Sequence, residues 1–473
     1  MRKTKIICTL GPASCDRKTI TEMVLAGMDV ARLNFSHGDY ATHEQNIRTI
    51  REVSAELNKP IAIMQDLQGP KIRVGEMEPG VVLHPGDPTI ITMLEVLGNA
   101  QRFSSTYKGL ADDVKEGDLI LIDDGLICIQ ANRIYEKEIY GTVIYGGPVK
   151  SHKGINLRHS SISAPAMTQK DIEDLNFGLE QNIDYVALSF VREASDIKEV
   201  KGAIRRKDKY AHVIAKIERH EALDCLDEIV ETADVVMVAR GDLGVEIPLE
   251  RVPTLQKSIL QACWTHQKPV IVATQMLESM IHNPRPTRAE VSDIANAIYD
   301  GADALMLSGE TAVGDYPIES VRTMALIAET AEEQLTTSRQ YVTGIEAYPI
   351  GNSVVHAGCQ LAENLHAKAL ICFTEHGFTA RLLSKYRQSI PAIAVTTDEF
   401  IQRRIALYWG LQSLQLEEVS NTDEMIVLLE KTVLEQKLVE KGDLVVIIAG
   451  LPLPITGVTN LIKVHRIGES YAV

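Results

Sequence analysis

The sequence predicts an α/β protein built on a (β/α)8 barrel of the TIM type. An all-β domain is inserted after the third strand, and an open-sheet α/β domain follows at the C-terminus. Three observations carry this expectation. Eight short, apolar, β-branched runs recur between residues 5 and 307, most of them followed by a segment of helical period. That alternation breaks once, from about Gln68 to Ala166, into strand patterns punctuated by turns. Beyond a polar stretch, Thr336–Thr343, a second alternating series begins. The expected boundaries are 1–67 with 167–335 for the barrel, 68–166 for the insert and 336–473 for the C-terminal domain. A chain of 473 residues accommodates three such bodies.

In order, the barrel strands are read at Lys5–Leu10, Asp29–Leu33, Ile61–Gln65, Tyr185–Phe190, Val213–Ile217, Val235–Val238, Val270–Ala273 and Ala304–Leu307. Runs apolar on both faces suit parallel strands covered by helices. Amphipathic helices are expected at Arg17–Ala26, Tyr40–Leu57 and Thr287–Tyr299, the last opening on Thr287-Arg-Ala-Glu290, a capping-box spacing. The basic start of the chain runs into the first strand without a small-residue cleavage pattern, so it reads as structure and not as a secretion signal. In the insert, turns fall at Gly80-Val-Val, Pro85-Gly-Asp, Glu116-Gly-Asp, Asp123-Asp-Gly and Gly146-Gly-Pro, with no helical period. An insertion at that point leaves the barrel at the end where active sites lie, placed to act as a lid. After a helix at Ile318–Leu335, the C-terminal series reads helix Asn352–Leu365, strand Ala369–Phe373, helix Phe378–Arg387, strand Ala392–Val395, helix Glu399–Trp409 and strand Leu444–Ile448.

Composition narrows the function classes. Lys and Arg number 48 against 64 Asp and Glu, a net charge of −16, and no basic stretch is dense enough to track nucleic-acid phosphates. No apolar run approaches the roughly 20 residues of a membrane span. The seven cysteines (8, 15, 128, 225, 263, 359 and 372) are odd in number and form no C-x-x-C pair. Reduced thiols in a cytoplasmic protein are therefore expected.

Polar side chains recur at the predicted strand ends. Arg32, Asn34 and Ser36 alternate along the second strand, and Asp66 ends the third. Lys216 and Glu218 end the fifth, Arg240 and Asp242 follow the sixth, Thr274 ends the seventh, and Ser308 and Glu310 end the eighth. Strand ends meet solvent, which accounts for any one of these. A closed barrel would bring the whole set to one mouth. Glu218 and Asp242, on adjacent strands, suit a hard divalent cation such as Mg²⁺. They equally suit salt bridges to Lys216 and Arg240, and spacing does not choose. Arg32, Arg73, Lys153 and Lys216 supply local cations for an anionic substrate in an acidic protein. Cations beside a metal fit phosphoryl transfer or enolate chemistry. There is no zinc spacing, no Walker A loop and no G-x-G-x-x-G after a strand. A metal-dependent barrel lyase or aldolase acting on pyruvate-type enolates would use the same Lys, Glu and Asp, without a nucleotide site or lid. A catalytically silent sugar-phosphate sensor would keep only the loop Phe373-Thr-Glu-His-Gly-Phe-Thr-Ala-Arg381. In that loop Thr374, Thr379 and a helix N-terminus suit a phosphate, or pack without a ligand.

Several segments carry a resemblance. They are Thr9-Leu-Gly-Pro12, Arg32-Leu-Asn-Phe-Ser-His-Gly38, Asp66-Leu-Gln-Gly-Pro-Lys-Ile-Arg73, Lys153-Gly-Ile-Asn156 and Ala215-Lys-Ile-Glu218. Val238-Ala-Arg-Gly-Asp-Leu-Gly244, Ala273-Thr-Gln-Met-Leu-Glu-Ser279 and Leu307-Ser-Gly-Glu-Thr-Ala312 continue the series. In this order, and over nearly the whole chain, they resemble the pyruvate kinase family. The resemblance implies phosphoryl transfer from phosphoenolpyruvate to ADP, giving pyruvate and ATP, in a cytoplasmic homotetramer that uses Mg²⁺, with Mn²⁺ as an alternative. It implies Lys216 facing the transferring group, Arg32 on the phosphate, and Glu218 and Asp242 on the metal. Gly241, Asp242 and Thr274 would bind the substrate carboxylate, with Thr274 also near the carbon that gains a proton. Asn34, His37, Arg73 and Lys153 would bind the nucleotide, and Ser308 and Glu310 would support the rim. Members that need K⁺ hold it with positions matching Asn34, Ser36, Asp66 and the carbonyl of Leu67, and carry Glu where this chain has Lys71. The lysine implies that K⁺ is dispensable here. The loop Thr374, Glu375, His376, Gly377, Phe378 and Thr379 is similar to the family's sugar-phosphate effector loop, although Glu375 stands where a small hydroxyl residue is common. Gly450–Pro454 and Gly457–Asn460 would close that site, for a sugar phosphate or AMP.

Overall fold

The computed structural model describes residues 2–157, 162–163, 165–335, 349–418, 421–450 and 459–469. Eight parallel strands form a closed barrel in sequential order: β1 (Lys5–Leu10), β2 (Val30–Asn34), β3 (Ala62–Asp66), β4 (Tyr185–Leu188), β5 (His212–Ile217), β6 (Val235–Ala239), β7 (Val270–Ala273) and β8 (Ala304–Leu307). β8 closes the ring by pairing Lys5 with Ala304 and Cys8 with Leu307. Inward residues such as Ile7, Met64, Ile214 and Met237 fill the barrel, while Ile6, Ile63, Val213 and Val236 pack outward against the helices. The helices start where local chemistry tells them to. Asp16 and Asp39 accept the Thr19 and Thr42 N–H groups at the heads of Arg17–Ala26 and Tyr40–Glu56, and Thr287 with Glu290 forms the expected capping box of Arg288–Tyr299.

One ionic pattern organises the floor of the barrel. An aspartate immediately precedes each even-numbered strand: Asp29 before β2, Asp184 before β4, Asp234 before β6 and Asp303 before β8. Each carboxylate accepts the backbone N–H that opens the preceding strand or lies one residue inside it. The bonds run from Ile6 to Asp29 at 2.9 Å, Ile63 to Asp184 at 2.8 Å, Val213 to Asp234 at 2.9 Å and Val270 to Asp303 at 2.7 Å. Each also holds a cation: Arg2 on Asp29, Arg51 on Asp184, Lys201 on Asp234 and Lys385 on Asp303. These pairs were not anticipated from the sequence.

Residues between β3 and β4 form a six-stranded sheet in the order Ile155–Leu157, Leu119–Ile122, Ile127–Tyr135, Glu138–Tyr145, Pro88–Thr92, Arg102–Ser104, with a small ribbon of Val82–Leu83 and Gly147–Pro148 beside it. Its apolar cluster, around Phe103, Ile91 and Ile129, is its own. Among the described residues the one helical piece there is a single turn, Leu110–Asp113. The C-terminal sheet is five-stranded, in the order Leu411–Gln415, Ala392–Thr396, Ala369–Phe373, Leu444–Ala449, Leu461–Arg466, the last antiparallel. Two of these strands, Leu411–Gln415 and Leu461–Arg466, and the helix Thr422–Glu435 were not read from the sequence. The helix expected at Glu399–Trp409 stops at Ile405, because Ala406–Trp409 turns to bury Leu407, Tyr408 and Trp409. The polar stretch Thr336–Thr343 lies outside the described residues.

The C-terminal sheet seats on the barrel floor through the same aspartates. Arg403 reaches Asp184 at 2.9 Å, and Arg387 joins Lys385 on Asp303 at 3.1 Å. Tyr185, a fully buried side chain at the floor, donates its hydroxyl to the Arg404 carbonyl at 2.7 Å.

Asp234 tests the floor. Burial opposes its ionisation, but His212, Lys201 and the Val213 N–H outweigh burial and bring its pKa down to about 2 from 3.8. A carboxyl with a depressed folded-state pKa stabilises the fold above its unfolded value and loses that contribution as the pH falls through the folded one. We expect Asp234→Asn to cost on the order of 2 kcal/mol at neutral pH. Unfolding curves at several pH values should show the deficit closing between roughly pH 4 and pH 2. An equal deficit on both sides of that window would remove the ionic explanation.

Candidate active site

At the opposite end, the strand termini converge as the alternating polar residues require. Lys216, near the end of β5, is 9 % exposed. Its ammonium lies 2.9 Å from a Glu218 carboxylate oxygen and 3.2 Å from Asp66 Oδ1, and donates to Ser189 Oγ at 2.7 Å. Asp66 gives its other oxygen to Arg32 Nε at 2.7 Å, and Arg32 Nη1 donates to Thr9 Oγ1 at 2.9 Å. Glu218 also accepts the Phe190 N–H at 2.7 Å. The ends of β2, β3 and β5 thus bring two cations and two carboxylates into one cluster of ion pairs and hydrogen bonds.

The protonation states follow from this packing. Burial opposes charge on Lys216, but Asp66 and Glu218 more than offset it, so the ammonium is held well above the ordinary lysine value. Burial also opposes charge on Asp66, and there Lys216 and Arg32 win and hold the carboxyl below its usual range. Glu218 goes the other way. Burial raises its pKa, Lys216 pulls it down, and the Asp242 charge helps keep it raised. Glu218, buried, and Asp242, 30 % exposed, repel one another across the mouth, and two such carboxylates make a donor set that suits a hard divalent cation.

Asp242 lies in the first turn of the short helix Arg240–Glu246 that follows β6. The pairing of Asp242 with Arg240, one of the two readings of the sequence, is not formed. Arg240 binds both oxygens of Asp293, at 2.8 and 2.7 Å, while Asp242 faces Lys71 Nζ at 4.0 Å. The other salt bridge of that reading, Lys216 to Glu218, is present. Arg240 also donates to the carbonyls of Ala273 and Thr274, at 3.3 and 2.7 Å. It thereby pins the turn after β7, where Thr274 has a φ of +70°, a conformation a β-branched residue adopts only under strong local constraint. In that conformation Thr274 Oγ1 accepts the Gly241 N–H at 2.8 Å. Glu310 is buried and accepts the N–H groups of Ser308 and Leu277, at 2.7 and 3.0 Å, tying the turns after β7 and β8 together.

The remaining predicted positions lie further out. Asn34 Oδ1 accepts the Ser36 N–H at 3.1 Å, and His37 is exposed, its carbonyl meeting His43. The Leu67 carbonyl accepts the Ser189 hydroxyl at 2.8 Å. Gly69 turns the chain out of β3 with a φ of +68°, where a Cβ would lie 2.9 Å from the Phe190 ring. Arg73 and Lys153 lie in the segment between β3 and β4, Arg73 bridging to Gly154 beside the inserted sheet. Arg73 donates to the His152 carbonyl at 3.0 Å, and Lys153 pairs with Asp123 at 2.8 Å. In the C-terminal loop, Gly377 has a φ of +84° and heads the helix Phe378–Lys385. Thr374 is buried, Glu375 and His376 are exposed, and Thr379 Oγ1 meets Thr459 Oγ1 at 2.8 Å. Residues 451–458, which include most of the two segments expected to close this loop, lie outside the described residues.

Sequence reasoning passed over Thr9 and Ser189, the polar residues near the ends of β1 and β4 and the two strands for which no rim residue was named. The signal was the same strand-end position, in small hydroxyl residues that strand patterns absorb.

Fold and site define a (β/α)8-barrel protein with an ionic mouth at the strand C-termini, where enzymes of this architecture work. A family profile described as "Pyruvate kinase, barrel domain" matches residues 1–321, and one described as "Pyruvate kinase, alpha/beta domain" matches residues 352–465. The chain is 47% identical over 483 aligned positions to a pyruvate kinase of Geobacillus stearothermophilus, covering all of this chain and 81% of that one. It is 46% identical over 469 positions to a pyruvate kinase of Mycobacterium intracellulare, covering 99% of each. Among solved structures, a pyruvate kinase of Cryptosporidium parvum superposes with a TM-score of 0.92 at 35% identity, covering 98% of this chain and 96% of that one. The chain belongs to the pyruvate kinase family.

Glu310 gives the mouth a structural test. Glu310→Ala strands two buried N–H groups, which should cost about 3 kcal/mol, read as a lowered denaturation midpoint. Glu310→Gln keeps one acceptor and should recover part of the loss. Equal stability of all three proteins would show that Glu310 does not hold these turns.

Proposed function

We propose that this protein transfers the phosphoryl group of phosphoenolpyruvate to ADP, giving pyruvate and ATP, as a phosphotransferase of the cytoplasm. The observation that carries the reading is the Lys216 ammonium, kept charged by Asp66 and Glu218 at a mouth that also holds Asp242. An ammonium above its ordinary pKa does not give up its proton at neutral pH. Its role is therefore electrostatic: it neutralises the transferring phosphoryl group and the enolate oxygen left behind. Arg32, fixed by Asp66 and Thr9, binds the substrate phosphate. The Gly241–Asp242 turn, held to Thr274, binds the substrate carboxylate.

The bond between phosphorus and the enol oxygen breaks as an ADP oxygen takes the phosphoryl group. The enolate then takes a proton on carbon, delivered on the Thr274 side through water. Since Lys216 keeps its proton, another group must supply this one. Mg²⁺, or Mn²⁺, held by Glu218 and Asp242 would neutralise charge on the substrate oxygens. Asn34, His37, Arg73 and Lys153 bind the nucleotide, the last two brought by the insert acting as a lid that excludes water. Boundaries of 1–67 with 167–335, 68–166 and 336–473, a homotetrameric assembly, and a phosphorylated effector at Thr374–Thr379 complete the proposal.

Lys216→Met should lower ATP formation from phosphoenolpyruvate by about a thousandfold or more, while Mn²⁺ binding followed by electron paramagnetic resonance persists. Near-normal turnover would strip Lys216 of this role.

We further propose that K⁺ is dispensable. Lys71 places its ammonium 4.0 Å from Asp242, and both oxygens of Asp66, a position matched to the ion's ligands, are taken by Lys216 and Arg32. Activity in a tetraalkylammonium salt should match that in K⁺, and Lys71→Glu should introduce a K⁺ requirement. A large loss of wild-type activity without K⁺ would refute this.

A further inference from the structure

The loop that follows β2, residues 35–39, carries the exposed His37 at the mouth end of the barrel, and its backbone is held at three points. The Phe35 N–H donates to the Asp66 carbonyl at 3.0 Å, joining the loop to the end of β3. The Phe35 carbonyl accepts Lys170 Nζ at 3.0 Å, from the helix Gln169–Glu180. The His37 carbonyl accepts His43 Nε2 at 3.0 Å. Gly38 then turns the chain with a φ of +81°, close enough to the ring that a Cβ would lie 3.3 Å from the same Nε2.

His43 is fixed where it stands. Its backbone N–H bonds to the Asp39 carbonyl at 3.0 Å, at the capped head of the helix Tyr40–Glu56. Its ring is 7 % exposed and stacks on Phe35, with centroids 4.0 Å apart and planes 10° from parallel. The aromatic row continues, Phe35 meeting Phe177 at 6.1 Å and Phe177 lying against Tyr40 at 4.5 Å. Tyr40 donates its hydroxyl at 2.9 Å to Asp174, a fully buried carboxylate that Lys170 also holds. Burial keeps the His43 pKa below the ordinary imidazole value, so the ring is neutral at pH 7. A carbonyl can only accept, and the ring proton therefore sits on Nε2. Packing alone does not call for a histidine here. A phenylalanine would keep the stack and would avoid the buried Nδ1, which has no partner among the described residues. What the histidine adds is the Nε2 donor, which sets the direction of the His37 carbonyl and with it the His37 peptide.

We propose that His43 is a positioning residue for the nucleotide: through the His37 carbonyl and the Phe35 ring it sets the loop that presents Asn34 and His37 to a nucleoside diphosphate. This inference rests on the proposed assignment of Asn34 and His37 to the nucleotide. Arg32 and Lys216 are held by Asp66, Thr9 and Glu218 and take nothing from His43. Loss of the donor therefore weakens ADP and leaves phosphoenolpyruvate as it was.

The test is steady-state kinetics of the full chain carrying His43→Phe, His43→Gln or His37→Ala. His43→Phe keeps a ring for the stack and removes the donor, while His43→Gln removes the ring and places an amide N–H near the reach of Nε2. His43→Phe should raise KM for ADP about tenfold, with KM for phosphoenolpyruvate and kcat at saturating ADP within about twofold of wild type. His43→Gln should keep KM for ADP within about threefold of wild type. That second variant decides alone where His43→Phe does not fold, since a tenfold rise in His43→Gln would show that the ring, and not the donor, sets the loop. Both KM values rising together in His43→Phe, or kcat collapsing, would reduce His43 to a part of the core and overturn the positioning role. So would an unchanged KM for ADP in His43→Phe beside a raised one in His37→Ala. A KM for ADP unchanged in both would overturn the nucleotide assignment, and this inference with it.

Discussion

The mouth of this barrel depends on Asp66. It ends β3, the last strand before the chain leaves for the insert, and each of its oxygens holds a different cation, Arg32 and Lys216. Neither cation could be buried there alone, because an unpaired charge at that depth costs several kcal/mol. The carboxylate therefore fixes where a guanidinium from β2 and an ammonium from β5 can sit. It also shapes the strand end between them, since Ser189, which donates to the Leu67 carbonyl, receives the third hydrogen bond of the ammonium.

The two ends of the barrel solve the same electrostatic problem differently. At the floor, four aspartates each hold a backbone N–H and a cation, and two of them also clamp the C-terminal sheet. Those charges are satisfied, and their job is to set strand register and domain seating. At the mouth, Glu218 is raised by burial and by Asp242, and Asp242 pairs, among the described residues, with Lys71 at 4.0 Å. A buried carboxyl whose pKa is raised by burial and by a second carboxylate beside it is the feature that sets the mouth apart from the floor.

This contrast explains what could be read from the sequence. The barrel strands were legible nearly to the residue, because parallel strands covered on both faces are continuous apolar runs. The strand Leu461–Arg466 was not, since as an antiparallel edge strand it mixes apolar with basic residues and is only partly buried. Rim residues were legible as a set because period two points them one way, but their pairing was not. Arg240 chose Asp293, some fifty residues on and in another helix, over its neighbour Asp242, and no local spacing announces that. The floor aspartates carried a signal that was overlooked: an acid directly before every second strand, in Met28-Asp-Val, Ile183-Asp-Tyr, Ala233-Asp-Val and Ala302-Asp-Ala.

The cations themselves fall into two energetic classes. Arg32 and Lys216 are buried against carboxylates and cannot exchange partners without exposing a buried charge. Lys153 and Asp123 are 38 % and 23 % exposed, and a surface pair of this kind is worth about 1 kcal/mol or less. Arg73 rests on a neutral carbonyl. The insert thus carries cations that an arriving polyphosphate can take from their present partners at little cost, while the barrel carries cations that no ligand can move. In the proposed reaction that division is functional: the immobile charges define where the phosphoryl group must be, and the exchangeable ones let the lid follow the nucleotide on and off.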